Sequence, residues 1–332
     1  MPSTIIVGGF FGDEGKGKIV SYLALKDNPS IVVRGGARPN AGHTITDGNK
    51  IYKVRMLPSG FLNKSSKVMI GPGVVVNPTI LLKEIEDFGV SDRAFVDQRC
   101  GIIEETHIER DSKMLKNTIG STGSGTGPAN ADRAMRTLKL AKDIASLSSY
   151  LEDVPTAVNK ALDENKRVLV EGTQGTYLSL WHGTYPYVTS KDVTASGICS
   201  DIGLGPKKVD EVMVVFKSYV TRVGAGPLEN ELTSETISKK GWSEWGTVTG
   251  RQRRAAEFNF SLAKKAVMLN SATQLAITKL DVLFPSCAHK TSYANLDSEA
   301  KSFIKNIEDQ LGVPVALIGT GPAINDIIDK RG

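Results

Sequence analysis

The sequence predicts an α/β fold. It reads as a single large domain over residues 1–332, with a mostly parallel central sheet, helices on both faces and a P-loop-like phosphate loop near the N-terminus. Three observations predict it. Short apolar, β-branched runs alternate with helical patterns along the whole chain. Runs such as Val212-Met213-Val214-Val215-Phe216 are apolar at every position, as expected of strands covered on both faces. Glycine-rich stretches fall where strands end, the edge at which open α/β sheets place their ligands.

The elements follow in order. Strand-like runs lie at 4–7, 30–34, 67–70, 167–171, 211–216, 275–279 and 313–319. Helical patterns lie at 17–25, 79–88, 138–151, 156–165, 254–269 and 298–311. Strands that alternate with helices imply crossover connections and hence parallel pairing. No long linker, low-complexity tract or internal repeat interrupts the series.

Composition excludes several classes of function. Forty-one basic residues against 36 acidic give a net charge of +5, a mild excess without a run of five Lys or Arg. That charge suits a solvated surface or a cleft for phosphates and carboxylates. No basic stripe with interleaved aromatics points to nucleic acid. Cys100, Cys199 and Cys287 are scattered and odd in number, as expected of free thiols in a reducing cytoplasm. The four histidines form no zinc pattern. The first residues lack a basic region followed by an apolar stretch, so no leader is expected. No apolar run approaches the ~18 residues of a membrane span.

The chemistry begins at Gly12-Asp13-Glu14-Gly15-Lys16-Gly17-Lys18-Ile19, directly after the first strand. The string fits GxxxxGK, but Ile19 stands where a Ser or Thr would ligate Mg²⁺. Glycines let backbone N–H groups converge on an anion, and the helix start adds its dipole. Lys16 and Lys18 add point charges. A carboxylate is a hard oxygen ligand, so Asp13 becomes the candidate for the metal.

This loop resembles that of the adenylosuccinate synthetase family, and the resemblance continues in order along the chain. Asn40-Ala41-Gly42-His43-Thr44 is similar to the family's NAGHT segment. Ser121–Pro128 and the following Arg136 resemble its nucleotide-phosphate loop. Further matches are Glu171-Gly172-Thr173-Gln174-Gly175, His182–Ser190, Thr221–Pro227, Thr249–Arg254, Thr278-Lys279-Leu280-Asp281 and Thr320-Gly321-Pro322. The matches span residues 4 to 322, and nine in order are far more specific than one.

The resemblance implies a GTP- and Mg²⁺-dependent ligase that joins L-aspartate to C6 of inosine monophosphate (IMP). It implies Asp13, His43, Lys16 and Gln174 as catalytic residues. Asp13 would take the purine N1 proton, since O6 is a poor nucleophile until that proton leaves. It would also hold Mg²⁺ together with the Gly42 carbonyl. His43 would bond the phosphoryl group and assist its departure as an acid. Gly12, Glu14, Gly15, Gly17, Lys18, Gly42, Thr44, Arg253, Lys279, Asp281, Gly319, Thr320 and Gly321 would bind GTP. The Asp281 carboxylate accepts from guanine N1–H and the 2-amino group, which adenine cannot offer in the same way. Asn40, Ala41, Thr122, Arg136, Thr189 and Val223 would bind the acceptor nucleotide. Thr247, Val248, Thr249, Gly250 and Arg251 would close over L-aspartate. Arg136 would reach in from the second subunit of a homodimer.

The chain departs from the common pattern in places. It is short and resembles the compact archaeal form. Phe10-Phe11 stands where the family often has Gln-Trp, Gln252 replaces an arginine, and Arg38 has no evident role. A phage branch of the family uses a guanylate in place of IMP, which leaves a guanylate acceptor as an alternative. That branch often lacks the loop carboxylate, which this chain keeps as Asp13. A GTP-binding regulatory module is a more distant alternative, since such a switch needs neither the NAGHT-like segment nor the aspartate-loop arginines.

Overall fold

The computed structural model describes every residue except Met1, Arg38, Ala41, Asn117, residues 246–249, Arg251 and Gly332. One sheet contains β1 (Ser3–Gly8), β2 (Ile31–Arg34), β3 (Lys67–Ile70), β4 (Ala94–Asp97), β5 (Leu151–Glu152), β6 (Val168–Glu171), β7 (Glu211–Lys217), β8 (Gln274–Thr278), β9 (Val315–Gly319) and β10 (Ile327–Asp329). Their spatial order is β10-β9-β8-β7-β1-β6-β2-β3-β4-β5. Every neighbouring pair is parallel except β9 and β10. The chain winds outward in both directions from β1, so the switch point lies at its carboxyl end, where an open α/β sheet forms a crevice.

The described helices are α1 (Lys16–Asp27), α2 (Pro78–Asp87), α3 (Glu105–Met114), α4 (Thr126–Met135), α5 (Val154–Asp163), α6 (Ala195–Ile202), α7 (Ser234–Lys239), α8 (Phe260–Asn270), α9 (Leu280–Leu283) and α10 (Ser298–Leu311). Alternation along β1 divides the core. Ile5 and Val7 pack with α5, α6, α8 and α10, whereas Ile6 packs with Ile19, Val20, Leu23 and Ala24 of α1 on the other face. Caps set the helix ends. Asn77 accepts from Ile80 N at 3.1 Å to start α2, and Asp297 accepts from Ala300 N at 2.7 Å to start α10. Gly312 ends α10 in the left-handed region at φ 66°. No described helix is long and apolar enough to cross a membrane.

Two expected helices are corrected. Residues 138–151 form short 3-10 turns at Ala141–Asp143 and Ala145–Tyr150 and then strand β5. Tertiary pairing overrides the helical pattern there: Ile102 N donates to Lys139 O, and Ala141 N to Cys100 O. Ser146, Ser148 and Ser149 also compete locally for backbone groups. The 254–269 pattern opens instead as a strand, Arg254–Ala256, antiparallel to Val220–Arg222. Asn259 accepts from Leu262 N at 3.0 Å and starts α8 only after that strand. Helices α3, α4 and α6 were not expected, because their short stretches are dominated by polar and glycine residues.

Phe10 finds its explanation in the core. Its ring lies 4.8 Å from Phe216 and 5.3 Å from Phe258, so an aromatic cluster holds the exit of β1.

Candidate functional site

A cavity of about 450 Å³ opens among the loops that leave the carboxyl ends of β1, β2, β6 and β7. Among the expected site residues, Gly12, Asp13, Asn40, Gly42, Thr122, Gln174, Thr189, Val223 and Arg253 line it. Its base is the glycine turn between β1 and α1. Gly12 and Gly15 occupy the left-handed region at φ 100° and 83°. The Glu14 carboxylate, 1% exposed, accepts from Phe10 N at 2.9 Å and Gly12 N at 2.8 Å. Lys16 Nζ donates to Glu14 Oε2 at 2.9 Å and to the Gln174 carbonyl. Lys18 Nζ turns to the Gly321 and Asp326 carbonyls, each at 2.7 Å, and burial pushes its ammonium down to about 8. Both loop lysines therefore contact protein oxygens.

Behind this turn lies His43, in a buried group whose other members, Arg34, Ser59 and Glu171, have no role assigned from sequence. His43 Nδ1 is 2.5 Å from Glu171 Oε1, 2.9 Å from Ser59 Oγ and 3.2 Å from Arg34 Nη2. Ser59 donates its own proton to Glu171 Oε1 at 2.7 Å. That bond and the close carboxylate assign the ring proton to Nδ1, which leaves Nε2 as an acceptor. Burial, then the Arg34 guanidinium, hold the imidazole at about 4 despite Glu171. Burial pushes Glu171 up, but Arg34 and His43 outweigh it and hold it at about 2. His43 thus rests neutral, and work as an acid requires a second proton on the ring. A phosphoryl dianion beside Nε2 would favour that proton, and Glu171 would stabilise the resulting cation. Gly17 is required here because a Cβ would stand 2.7 Å from the His43 Cβ.

The Asp13 carboxylate has partners on one oxygen. Oδ2 accepts from the Thr221 hydroxyl and lies 3.2 Å from Arg253 Nε and 3.7 Å from Lys217 Nζ. Glu244 gathers the same cations from behind, accepting from Lys217 Nζ at 3.0 Å and from Arg253 Nη1 and the Tyr219 hydroxyl. Burial opposes its charge, but Lys217, Lys279 and Arg253 hold its carboxyl at about 2.

The opposite wall is polar and preorganised. Gln174, held at φ 50°, donates from Nε2 to Asn40 Oδ1 at 2.9 Å and to the Ala37 carbonyl at 3.0 Å. Asn40 in turn reaches Thr189 Oγ1 at 3.4 Å. Thr122 Oγ1 is 2.8 Å from Ser124 Oγ, in the loop that enters the N-terminus of α4. Buried Asp111, unassigned from sequence, fixes this loop by accepting from Ser121 Oγ at 2.5 Å and Gly125 N at 2.8 Å. Phe11 lines the cavity with the Arg222 guanidinium 4.5 Å over its ring.

A second group sits across the glycine turn. Lys279 is left-handed at φ 62° and precedes α9, in whose first turn Asp281 lies. Asp281 Oδ1 is buried with no hydrogen-bond partner. Gly319 ends β9, and Thr320 and Gly321 follow it, with the Gly321 carbonyl on Lys18. Thr278 Oγ1 donates to Glu14 O at 2.6 Å and couples this group to the turn. Thr44, Arg136 and Gly250 are exposed and do not line the cavity. Ala41, Thr247, Val248, Thr249 and Arg251, like Arg38, lie outside the described residues.

The donor set decides which metal fits. Among the described residues no three His, Cys, Asp or Glu side chains converge, so no all-protein cage exists. The Asp13 carboxylate at the cavity and the neighbouring Gly42 carbonyl suit Mg²⁺, which keeps waters and takes further oxygens from phosphates.

The buried imidazole gives a measurable pH dependence. Its unfolded pKa is 6.5 and its folded value about 4, so between them the unfolded chain binds more protons. Stability from this group is full above pH 6.5 and is lost as pH falls toward 4. Urea unfolding should show about 2 kcal/mol less stability at pH 5 than at pH 7 from His43 alone. Glu171 does not contribute there, because its window runs from 4.5 down to about 2. His43→Gln should flatten the slope; an unchanged slope would refute the buried neutral ring.

Comparison with known proteins agrees with this geometry. A family model described as adenylosuccinate synthetase matches residues 5–146 and 137–288. The adenylosuccinate synthetases of Methanocaldococcus jannaschii and Pyrococcus horikoshii are 56% and 53% identical over 333 and 336 residues. Those alignments cover 99% and 100% of this chain, and 96% and 99% of the relatives. The fully ligated Plasmodium falciparum adenylosuccinate synthetase superposes with a TM-score of 0.91 at 29% identity, covering 99% of both chains. Cyanophage S-2L succinoaminodeoxyadenylate synthetase, bound to dGMP and dATP, gives a TM-score of 0.83 at 26% identity, covering 100% of this chain and 96% of its own. With near-complete coverage at more than half identity, this chain belongs to the adenylosuccinate synthetase family.

Proposed function

We propose that the protein ligates L-aspartate to C6 of IMP, using GTP, and releases adenylosuccinate, GDP and phosphate. The observation that carries the reading is Asp13: a carboxylate at the cavity with Oδ2 bonded to the protein and no protein partner for Oδ1 among the described residues. Asp13 removes the N1 proton and the resulting O6 anion takes the γ-phosphoryl group. The aspartate amine then adds at C6 and phosphate leaves. His43 bonds the phosphoryl group through Nε2 and supplies a proton as it departs. Gln174 and Asn40 hold the base, while Thr122 and Thr189 hold the 5′-phosphate. Asp13 and the Gly42 carbonyl would hold Mg²⁺, which would supply charge neutralisation at the transferring phosphoryl group. The residues at 247–251 and Arg253 recognise L-aspartate and the edge of GTP.

IMP is favoured over a guanylate as acceptor. The chain is more than half identical to archaeal adenylosuccinate synthetases but only 26% identical to the phage enzyme. Incubation with GTP, Mg²⁺ and L-aspartate, with either IMP or dGMP, separates the two by ultraviolet absorbance. Turnover is expected with IMP, and turnover with dGMP alone would overturn the acceptor. Asp13→Asn should lower kcat about a hundredfold or more while GTP still binds. A variant that kept a tenth of the parental rate would remove Asp13 from the mechanism.

GTP is chosen over ATP by Asp281. Its buried, unpartnered Oδ1 fits the guanine N1–H and 2-amino donors, and adenine would leave the carboxylate unpaired. That costs roughly 1–3 kcal/mol, about fivefold to somewhat over a hundredfold in specificity. Asp281→Asn should shift preference in kcat/KM from GTP toward xanthosine triphosphate, whose C2 oxygen accepts from the new amide. Equal use of ATP and GTP by the parent would defeat this assignment.

The active sites are shared in a homodimer. Arg136 caps α4 at φ 65°, exposed and away from the cavity of its own chain, next to exposed Met135. An arginine so placed serves the phosphate loop of a second copy. Mixing inactive Arg136→Leu with inactive Lys16→Gln should restore activity through hybrid dimers. Demonstrated subunit exchange without recovery would exclude shared sites.

A further inference from the structure

We propose that Lys191 and Asp201 are positioning residues that set how Thr189 stands against Asn40 and Gln174 in the polar wall of the cavity. The inference rests on the reading of those three residues as contacts of the acceptor nucleotide. Neither Lys191 nor Asp201 lines the cavity, so the pair acts only through them.

The pair lies where the segments leaving β2 and β3 meet α6. Asp201, in α6, pairs through Oδ1 with Lys191 Nζ and accepts through Oδ2 from Gly36 N at 2.7 Å. Lys191 Nζ also donates to the Gly73 carbonyl, and Gly73 N donates to the Asp201 carbonyl at 2.8 Å. The two side chains are only 17% and 8% exposed, so little water is at hand to replace a lost partner. Gly73 must be glycine here, because a Cβ would stand 2.1 Å from Asp201 Oδ1.

Each carboxylate oxygen governs one part of the wall. Through Oδ1, Asp201 holds Lys191, two residues beyond Thr189. Through Oδ2 it fixes the peptide of Gly36, and the next residue, Ala37, accepts from Gln174 Nε2 at 3.0 Å. The same Gln174 amide donates to Asn40 Oδ1 at 2.9 Å, and Asn40 Nδ2 donates to Thr189 Oγ1 at 3.4 Å. One carboxylate thus ties both ends of the chain Gln174–Asn40–Thr189. Its last link is long for a hydrogen bond and too weak to hold that spacing alone. The neighbouring Ser190 Oγ accepts from Asn130 Nδ2 of α4 at 2.8 Å. Loss of the pair therefore shifts the Thr189 segment without releasing it.

Lys191→Met should raise KM for IMP, and the Kd of IMP measured alone by calorimetry, about tenfold or more. In the same variant kcat and KM for GTP should stay within about threefold, because the glycine turn and the Asp281 group do not lean on this pair. A general structural defect would instead move both KM values and kcat together. In crystals of Lys191→Met, Thr189 Oγ1 and Asn40 Nδ2 should separate to more than about 4 Å. Unchanged affinity for IMP, a parallel rise in KM for GTP, or an unchanged Thr189–Asn40 distance would each overturn the inference. If Lys191→Met does not fold, with its carboxylate left buried and unpaired, Lys191→Met combined with Asp201→Asn removes both charges and decides by the same criteria. A parent that neither binds nor converts IMP would sink the functional reading instead, and the Thr189–Asn40 distance in the variant crystals would still decide this one.

Discussion

The rest of the site depends on the buried pair of Glu14 and Lys16 beneath the glycine turn. Their 2.9 Å contact is almost fully excluded from water. A buried pair is tolerated only when further hydrogen bonds satisfy both partners, and here they do. Glu14 gathers the N–H groups of Phe10 and Gly12, while Lys16 reaches the Gln174 carbonyl after β6. The exit of β1, the start of α1 and the exit of β6 are thereby held as one unit. Thr278 extends it to β8 through the Glu14 carbonyl. The glycine turn is therefore anchored by the protein's own groups, and preorganisation of this kind is what electrostatic catalysis requires.

Around that unit, acids and bases meet in a graded series. Glu171 and Glu244 lie deep, each surrounded by cations, and both stay ionised far below neutral pH. Asp13 stands at the cavity with three cationic or hydroxyl partners on one oxygen. His43 is the opposite case, a ring kept neutral by burial and a neighbouring guanidinium. A neutral imidazole becomes an acid only when an anion arrives beside it, which is the order its proposed task needs. The second carboxylate layer, Glu171 behind His43 and Glu244 behind Arg253, makes each change of charge local.

Much of this was legible in the sequence, for a physical reason. Residues that touch a ligand through glycine turns and short polar strings have fixed spacing, so Gly12, Asp13, Asn40, Thr122, Gln174 and Val223 were named before their positions were known, and they line one cavity. Strands buried on both faces are continuous apolar runs, which is why the runs at 4–7, 67–70 and 211–216 reappear as β1, β3 and β7. Supporting residues were not legible. Lys217, Thr221, Glu244, Arg34, Ser59 and Asp111 act across long sequence separations, and their meaning lies in contacts that no local pattern encodes. A partial signal existed: Lys217 and Glu171 are charged residues closing buried apolar strands, where a charge requires a partner. The helix expected at 138–151 failed because pairing with residues 98–102 outweighed a weak helical pattern.

The departures from the common family pattern resolve along the same line. Phe10 turns inward to Phe216 and Phe258 and replaces a polar side chain with core packing. Phe11 keeps its aromatic face in the cavity, with the Arg222 guanidinium stacked on it and tied to Thr184 Oγ1 at 2.9 Å and Tyr187 O at 3.0 Å. Among the described residues that arginine meets no carboxylate; burial, then Arg254, push it down to about 10, so it is a desolvated cation in need of stabilisation. The ring supplies part of it, and four hydrogen bonds, to the Ala225, Pro227 and Tyr187 carbonyls and the Thr184 hydroxyl, supply the rest. The substitution at position 11 therefore preserves what the site uses, an aromatic plane that locks Arg222 and through it the 184–187 wall.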